Sequence, residues 1–461
     1  MRKALACVVL AAGQGTRMKS ALPKVLHALN GVPMIHHVLR AVSGLRPERV
    51  VVVVGRDNRK ALEEALGAED VRFALQRKPL GTAHALLSAA RALSGFQGDV
   101  LVMNGDTPLV STATLRRFVT RHRRAGNGLS LLSFVAEDPA GYGRILRDGS
   151  GRPVGIREEA DASEEEKSIR EVNSGIYLFD AGTLPLLKRI RLNDGKGEYY
   201  LTDILGIASR RGLDCGVYCY GDGDEFIGVN TREELLRAQR LLRERTVRHW
   251  LERDVSFMDE ESVYIQPGVL IGKGTLIYPN VYLEGRTTIG NGCVIYPGVR
   301  ITDCTVGDGV IIKDSSVVES AEIREGAVVG PFARLRPGTV IMRDARIGNF
   351  VEVKASTVGE GAKAQHLSYI GDADVGSRVN IGAGTITCNY DGRKKHRTVI
   401  EDDVFIGSDT QLVAPVRVEK GAYVGAGSTI TKDVPPGALA ISRSRERHIR
   451  GWARKKKRKK G

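Results

Sequence analysis

Long apolar runs are scarce in this 461-residue chain, and paired cysteines are missing altogether. Its six cysteines (Cys7, Cys215, Cys219, Cys293, Cys304 and Cys388) show no CxxC spacing and no histidine cluster nearby. That excludes a zinc ribbon or a disulfide framework and leaves reduced thiols as the expectation. No stretch has the length of a membrane span. The apolar start, Ala4 to Ala12, is short for a secretory signal and runs straight into Gly-Gln-Gly-Thr-Arg, so it reads as a buried first strand. Acidic residues are outnumbered 54 to 69, a formal charge of +15. Ten Lys or Arg against one Glu lie in residues 445–461, however, so +9 of that charge belongs to the tail. Lys455–Lys460 has no interleaved aromatic beyond Trp452, which favours a solvated tail over a nucleic-acid or lipid contact. The expectation is a cytoplasmic protein with no specific nucleic-acid partner and no membrane partner.

What the chain has instead is a period of six. Aliphatic residues recur at Ile265, Ile271, Ile277, Leu283, Ile289, Ile295 and Ile301. The count restarts at Val306 after a five-residue step, again at Ile323, and runs on to Ile430 with short interruptions. Neither a helix nor a flat strand has this period, but a chain wound around a prism does, turning at Gly, Asn or Asp: a hexapeptide-repeat parallel β-helix. With coils of about eighteen residues stacked roughly 4.8 Å apart, the ladder predicts on the order of nine coils. Residues 1–230 instead alternate apolar runs (Leu5–Leu10, Val50–Val54, Val100–Met103, Leu129–Val135, Ile176–Phe179) with helical spacing, which predicts a mostly parallel α/β sheet. The expected domains are 1–230, a linker helix over 231–251, the β-helix over 252–444 and the basic tail 445–461.

In an α/β sheet, ligands bind beyond the carboxyl ends of the strands. The first such loop reads Leu10-Ala-Ala-Gly-Gln-Gly-Thr-Arg-Met18, followed by Leu22-Pro-Lys-Val-Leu-His27. Gly13 and Gly15 let backbone N–H groups converge on an anion, and Arg17 and Lys24 add cations suited to a triphosphate. The string fits neither a dinucleotide fingerprint nor a P-loop. As a whole it resembles the signature of sugar-1-phosphate nucleotidyltransferases. Within that resemblance, Gln76 and Leu80-Gly81-Thr82-Ala-His84 make a second, nucleobase-side loop. Gly141-Tyr-Gly143-Arg144, Glu158 and Glu171-Val-Asn173-Ser-Gly175 lie on the sugar side. Asp106 ends a strand where Mg²⁺ would be held, or else caps a turn. Asn230 is a second candidate ligand, and Thr231 and Glu234 form a capping box for the next helix.

In the β-helix, the hexad phase breaks between Thr387 and Ile400, and the intervening Cys388–Thr398 is polar and basic. An ejected loop of this kind is seldom neutral packing. Arg334, Arg336, Lys354, His366, Tyr369 and Asn380 decorate the coils before it, and His366 beside such cations is a candidate general base. Gly407-Ser408 and Gly425-Ala426-Gly427 leave room for a long thin ligand. Arg336-Pro-Gly, Asn349-Phe-Val-Glu-Val-Lys354, His366-Leu-Ser-Tyr369, Asn380 to Gly392 and Gly407 to Pro415 resemble one family. It is the bacterial bifunctional N-acetylglucosamine-1-phosphate uridyltransferase and glucosamine-1-phosphate acetyltransferase, and the resemblance covers residues from about 3 to 445.

The resemblance implies a Rossmann-like nucleotidyltransferase domain followed by a left-handed parallel β-helix, assembled as a homotrimer with acetyl-transfer sites between neighbouring prisms. It implies that Leu10, Ala11, Ala12, Gly13, Arg17, Lys24, Gln76, Gly81, Thr82, Gly143, Glu158 and Asn173 contact the uridine nucleotide and sugar, with Asp106 and Asn230 on Mg²⁺. Arg336, Lys354, Tyr369, Asn380 and Lys395 would contact the sugar-phosphate acceptor. Ala383, Asn389, Tyr390, Ser408, Ala426 and Arg443 would contact acetyl-CoA, with His366 as the base. Asn104 stands where some relatives carry an aromatic residue, Ser174 replaces Thr, and Gln365 replaces Gly. The implied function is UDP-N-acetylglucosamine synthesis from glucosamine-1-phosphate, acetyl-CoA and UTP by way of N-acetylglucosamine-1-phosphate, for peptidoglycan and lipopolysaccharide. Two alternatives are a nucleotidyltransferase with a non-catalytic oligomerising β-helix, and a scaffold with a degenerate site.

Overall fold

A computed structural model describes residues 3–193, 195–221 and 223–458, so Lys459 and Lys460 of the basic run lie outside the described residues. The chain divides into two compact units between Leu242 and Arg243, inside the helix Arg232–Leu251.

The first unit is built on nine strands: β1 (Leu5–Leu10), β2 (Arg49–Gly55), β3 (Arg72–Gln76), β4 (Asp99–Asn104), β5 (Leu129–Val135), β6 (Arg144–Arg147), β7 (Pro153–Arg157), β8 (Glu171–Asp180) and β9 (Cys215–Tyr220). Their order is β9-β5-β8-β4-β1-β2-β3, with β6 pairing β8 and β7 at one side. β8 is antiparallel to both neighbours, while β1 is parallel to β2 and β4. The central strands are apolar without alternation because both faces are covered. Cys7, Val9, Val52 and Leu101 pack with Ile35, Leu39 and Phe118, whereas Val8, Val51, Val53 and Val102 pack with Ala83, Leu86 and Leu205. The register Leu10↔Asn104 and Gly55↔Gln76 aligns the carboxyl ends of β1 with β4 and of β2 with β3, and so fixes the rim on which the site is built.

The second unit is a parallel β-helix of three sheets with 11, 10 and 9 strands. It is longer than the nine coils expected, because strands at Ser256–Phe257 and Leu439–Ala440 extend it past both ends of the hexad ladder. The inward aliphatics stack: Ile277, Ile295, Ile312, Val329, Ile347, Ala364 and Ile381 are successive partners 17 or 18 residues apart. Those buried side chains form one continuous core. The next partner of Ile381 is Ile406, 25 residues on, so this coil ejects the extra residues as a loop. The corners are left-handed turns. Most are made by Gly, Asn, Asp or Ser, but one column carries Phe332 (φ 51°), Phe350 (φ 54°) and Leu367 (φ 46°). Bulky side chains are rare in that conformation, yet all three are exposed, with the phenyl rings stacked at 5.4 Å.

No helix of the described residues is long and apolar enough to cross a membrane, and all six cysteines are free.

Candidate active sites

In the first unit, a cavity of about 280 Å³ opens at the carboxyl rim between β1, β3 and β4. Leu10, Ala11, Ala12, Gly13, Lys24, Gln76, Gly81, Thr82, Asn104 and Asp106 all line it, together with Pro79 and Glu198. Local devices hold several of them. The Ala11 carbonyl accepts from Asn58 Nδ2 at 2.8 Å, and Asn58 Oδ1 accepts the Gly55 N–H, so this buried asparagine clamps the base of the glycine loop. Gly15 has φ 65°, and a Cβ there would sit 2.4 Å from Lys24 Cβ, so glycine is what lets the loop lie on the lysine stem. Gln76 donates to the Gly81 carbonyl at 3.0 Å, and Gly81 (φ 95°) could not carry a Cβ, which would meet Tyr199 O at 2.6 Å. Thr82 Oγ1 accepts the Leu201 N–H.

Asp106 and Asn230 converge, although 124 positions separate them. Val229 N–H donates to the Asp106 carbonyl at 2.8 Å, and Lys24 Nζ pairs with Asp106 Oδ2 while donating to Asn230 Oδ1 at 2.9 Å. The capping box is present: Glu234 accepts from Thr231 N–H, and Glu234 N–H donates to Thr231 Oγ1. Glu234 also accepts the Asn230 N–H at 2.5 Å. Two oxygen donors meeting at one point suit Mg²⁺, which takes one or two protein ligands and fills its shell with water and phosphate. No cluster of three or more His, Cys, Asp or Glu that could hold a metal occurs among the described residues.

Gly143, Glu158 and Asn173 are brought together on the sugar side. Asn173 N–H donates to the Gly143 carbonyl at 2.8 Å, and a Cβ on Gly143 would lie 3.7 Å from Glu158 Oε1. Burial pushes the Glu158 carboxyl up, against the Thr202 hydroxyl that donates to it. Arg144, 1% exposed, pairs with Glu159 at 2.6 Å and donates to the Tyr142 carbonyl, and Glu159 in turn accepts the Gly141 N–H. Arg17 is exposed and outside the cavity lining.

In the second unit, Arg336, Lys354, Tyr369, Asn389 and Lys395 form one cluster. Arg336 pairs with Glu352 at 2.8 Å, and Glu352 lies in register with Tyr369. Lys354 stands 3.7 Å from Asp372, which also accepts from Asn389 Nδ2. The ejected loop returns Lys395 against Lys354, and that neighbouring ammonium lowers the Lys395 pKa. Two ammonium groups held side by side make an anion site. The loop is ordered by Asp391, whose carboxyl the Lys394 N–H and His396 hold down at about 2.

His366 is exposed at the end of strand Lys363–His366, beside Asn349. It stands on a different sheet from the cation cluster, around the corner made by Leu367, and Asn380 shares its sheet. Ala383, Ser408 and Ala426 follow the stacked partners Ile381, Ile406 and Val424 by two positions each, so they form one column of small residues. Arg443 donates to the Ala426 carbonyl at 2.8 Å, and Tyr390 projects into solvent.

Asn58, Thr202, Glu198, Glu352 and Asp372 were not singled out from the sequence. Asn58, Thr202, Glu352 and Asp372 are ordinary polar residues with a partner on another element, and Glu198 reaches the cavity from a distant loop, so no local spacing marks them.

Residues 7–173 match the family described as MobA-like NTP transferase domain. Residues 268–303 and 397–432 match the family described as Bacterial transferase hexapeptide (six repeats). The chain is 50% identical over 450 residues to the Bifunctional protein GlmU of Thermodesulfovibrio yellowstonii, covering 98% of this chain and 99% of that one. Proteins of the same name from Pelobacter propionicus (49% over 456 residues, 99% of each chain) and Geotalea uraniireducens (46% over 454 residues, 98% of this chain and 99% of that one) are similar to it along the same length.

Proposed function

The chain belongs to the family of bifunctional GlmU proteins, and from that membership we propose how its residues divide two reactions between two units. It is a bifunctional enzyme of UDP-N-acetylglucosamine synthesis, using acetyl-CoA to acetylate glucosamine-1-phosphate and UTP to uridylate the product. Our assignment gives uridyl transfer to residues 1–230 and acetyl transfer to 252–444, with 231–251 as linker and 445–461 as a tail outside both sites.

For acetyl transfer, Arg336 and Lys354 hold the acceptor phosphate, Lys395 and Tyr369 contact the acceptor from the same face, and Asn380 contacts it from the His366 face. Ala383, Asn389, Tyr390, Ser408, Ala426 and Arg443 hold acetyl-CoA along the small-residue column. The 2-amino group attacks the thioester carbonyl, His366 takes its proton, and the coenzyme A thiolate departs. For uridyl transfer, a phosphate oxygen of N-acetylglucosamine-1-phosphate attacks the α-phosphorus of UTP and pyrophosphate leaves. The glycine loop, Arg17 and Lys24 position and neutralise the triphosphate, while Gly143, Glu158 and Asn173 orient the sugar. Asp106 and Asn230 are the oxygen donors for Mg²⁺, which would supply further charge neutralisation when bound.

The observation that carries the second activity is the 25-residue coil, because its loop sets Lys395 against Lys354. A β-helix serving oligomerisation alone has no use for that arrangement, and the two-activity family membership disfavours that alternative. We assign a homotrimer: the exposed corner ladder Phe332, Phe350 and Leu367 is an apolar surface for another copy to cover, next to a base and a cation cluster on separate faces. A cytoplasmic location follows from the reading, since UTP and acetyl-CoA are cytoplasmic metabolites.

The test is a reaction with glucosamine-1-phosphate, acetyl-CoA, UTP and Mg²⁺, run with each omitted in turn. Thiol release should require the sugar phosphate but not UTP, and pyrophosphate release should require acetyl-CoA. Pyrophosphate without thiol release would leave a nucleotidyltransferase alone.

A further inference from the structure

We propose that Lys24 is the resident counter-ion of the cation site, and that a divalent cation enters by ejecting the Lys24 ammonium toward the triphosphate pocket. The proposal rests on Asp106 and Asn230 being the Mg²⁺ ligands. The Lys24 ammonium stands where those two oxygens converge: it pairs with Asp106 Oδ2 and lies 2.9 Å from Asn230 Oδ1. A metal ion and an ammonium cannot share that point, since both are cations and both need the same lone pairs. The Lys24 and Asp106 side chains are only 13% and 18% exposed, so the pair is largely withdrawn from water. Removing the ammonium leaves a poorly solvated carboxylate that gains strongly from any replacement cation.

The surrounding structure restricts the motion to the far end of the side chain. The lysine backbone is fixed at the start of the turn Lys24–Leu26, where its carbonyl accepts the His27 N–H at 3.2 Å. Gly15 packs against its Cβ, close enough that no side chain would fit between them. The backbones that carry the two oxygens are held as well: Val229 N–H donates to the Asp106 carbonyl, Glu234 accepts the Asn230 N–H, and Asn230 Nδ2 donates to the Gly228 carbonyl at 3.3 Å. Lys24 already lines the 280 Å³ cavity, so its arm has somewhere to go. With that cavity empty, the ejected ammonium loses its carboxylate partner Asp106; with a triphosphate present it gains phosphate oxygens. Divalent-cation binding is therefore weak in the nucleotide-free enzyme and strengthens when the triphosphate takes over the ammonium, and by linkage the metal favours the triphosphate equally.

The experiment titrates Mn²⁺ into the nucleotide-free full-length protein, read by the loss of the free-ion paramagnetic resonance signal, in the wild type, Lys24→Met, Asp106→Asn and the double variant. Circular dichroism melts confirm that each is folded. Lys24→Met should bind Mn²⁺ at least about tenfold more tightly than the wild type, because the competent state no longer has to be vacated. Asp106→Asn should abolish that site in either background. In the wild type, saturating Mg²⁺ should raise the rate at which trinitrobenzenesulfonate labels Lys24, followed by peptide mapping. Equal or weaker affinity in Lys24→Met, with Asp106→Asn still abolishing the site, overturns the counter-ion role and leaves the ligand assignment standing. A labelling rate unmoved by Mg²⁺ overturns it as well. Binding that survives Asp106→Asn in both backgrounds overturns the ligand assignment and the proposal together.

Discussion

Asp99 and Arg144 are charged side chains taken almost wholly out of water. Burial alone would push the Asp99 carboxyl up, but His122, Lys3 and Arg123 outweigh it and hold the group well below the usual carboxylate range. A depressed folded pKa contributes stability that is present above the unfolded value of about 4 and lost as pH falls toward the folded one. Asp99→Asn should therefore cost about 3 kcal/mol at pH 7, the scale of breaking a buried pair. That deficit should shrink below about pH 4 in urea unfolding, and a deficit constant from pH 3 to 7 would contradict the account. Arg144 ties Tyr142, Glu159 and through it Gly141 into one wall beside Gly143 and Glu158. Arg144→Met should raise the KM for N-acetylglucosamine-1-phosphate by at least about tenfold while leaving the KM for UTP near its original value, because a small displacement of a positioning group is costly. Equal effects on both substrates would indicate a general loss of fold.

Among elements, the coil over Ile381–Ile406 is the one that departs from its neighbours. Removing eight residues, 389–396, would return it to the 17-residue length of the coils before it. The shortened protein should melt cooperatively and keep uridyl transfer, but lose acetyl transfer. Retained acetyl transfer would remove the loop from the site. The β-helix was legible in the sequence because each coil repeats one local requirement, an inward aliphatic every six residues, whatever the rest of the chain does. The loop was legible as a break in that repeat. In the first unit, the buried strands β1, β2 and β4 announced themselves as apolar runs, whereas β3 (Arg72–Gln76) and β9 (Cys215–Tyr220) did not. Both lie at sheet edges, and their half-covered, mixed composition resembles that of a loop. The glycine loop and Lys24 could be read from one contiguous string. That Lys24 touches Asn230 could not, because it depends on a backbone bond between Val229 and Asp106 that no spacing encodes.

The proposed molecule assembles through its β-helix and keeps two chemistries on separate units. Phe350, 57% exposed at a corner and stacked on Phe332, should be covered in the proposed trimer. Phe350→Asp should shift the light-scattering mass of the eluting protein from trimer toward monomer, since a carboxylate buried in an apolar contact is strongly unfavourable. A trimer unchanged in mass would place the contact elsewhere. The separation of chemistries is the central claim. Its most direct measurement is the phosphorus resonance profile of the complete reaction, run with His366→Ala and with Asp106→Ala, each checked for folding. His366→Ala should leave glucosamine-1-phosphate unconsumed yet convert added N-acetylglucosamine-1-phosphate and UTP at near the wild-type rate. Asp106→Ala should accumulate N-acetylglucosamine-1-phosphate and form no UDP-sugar. Loss of both reactions in either folded variant would contradict the division of labour.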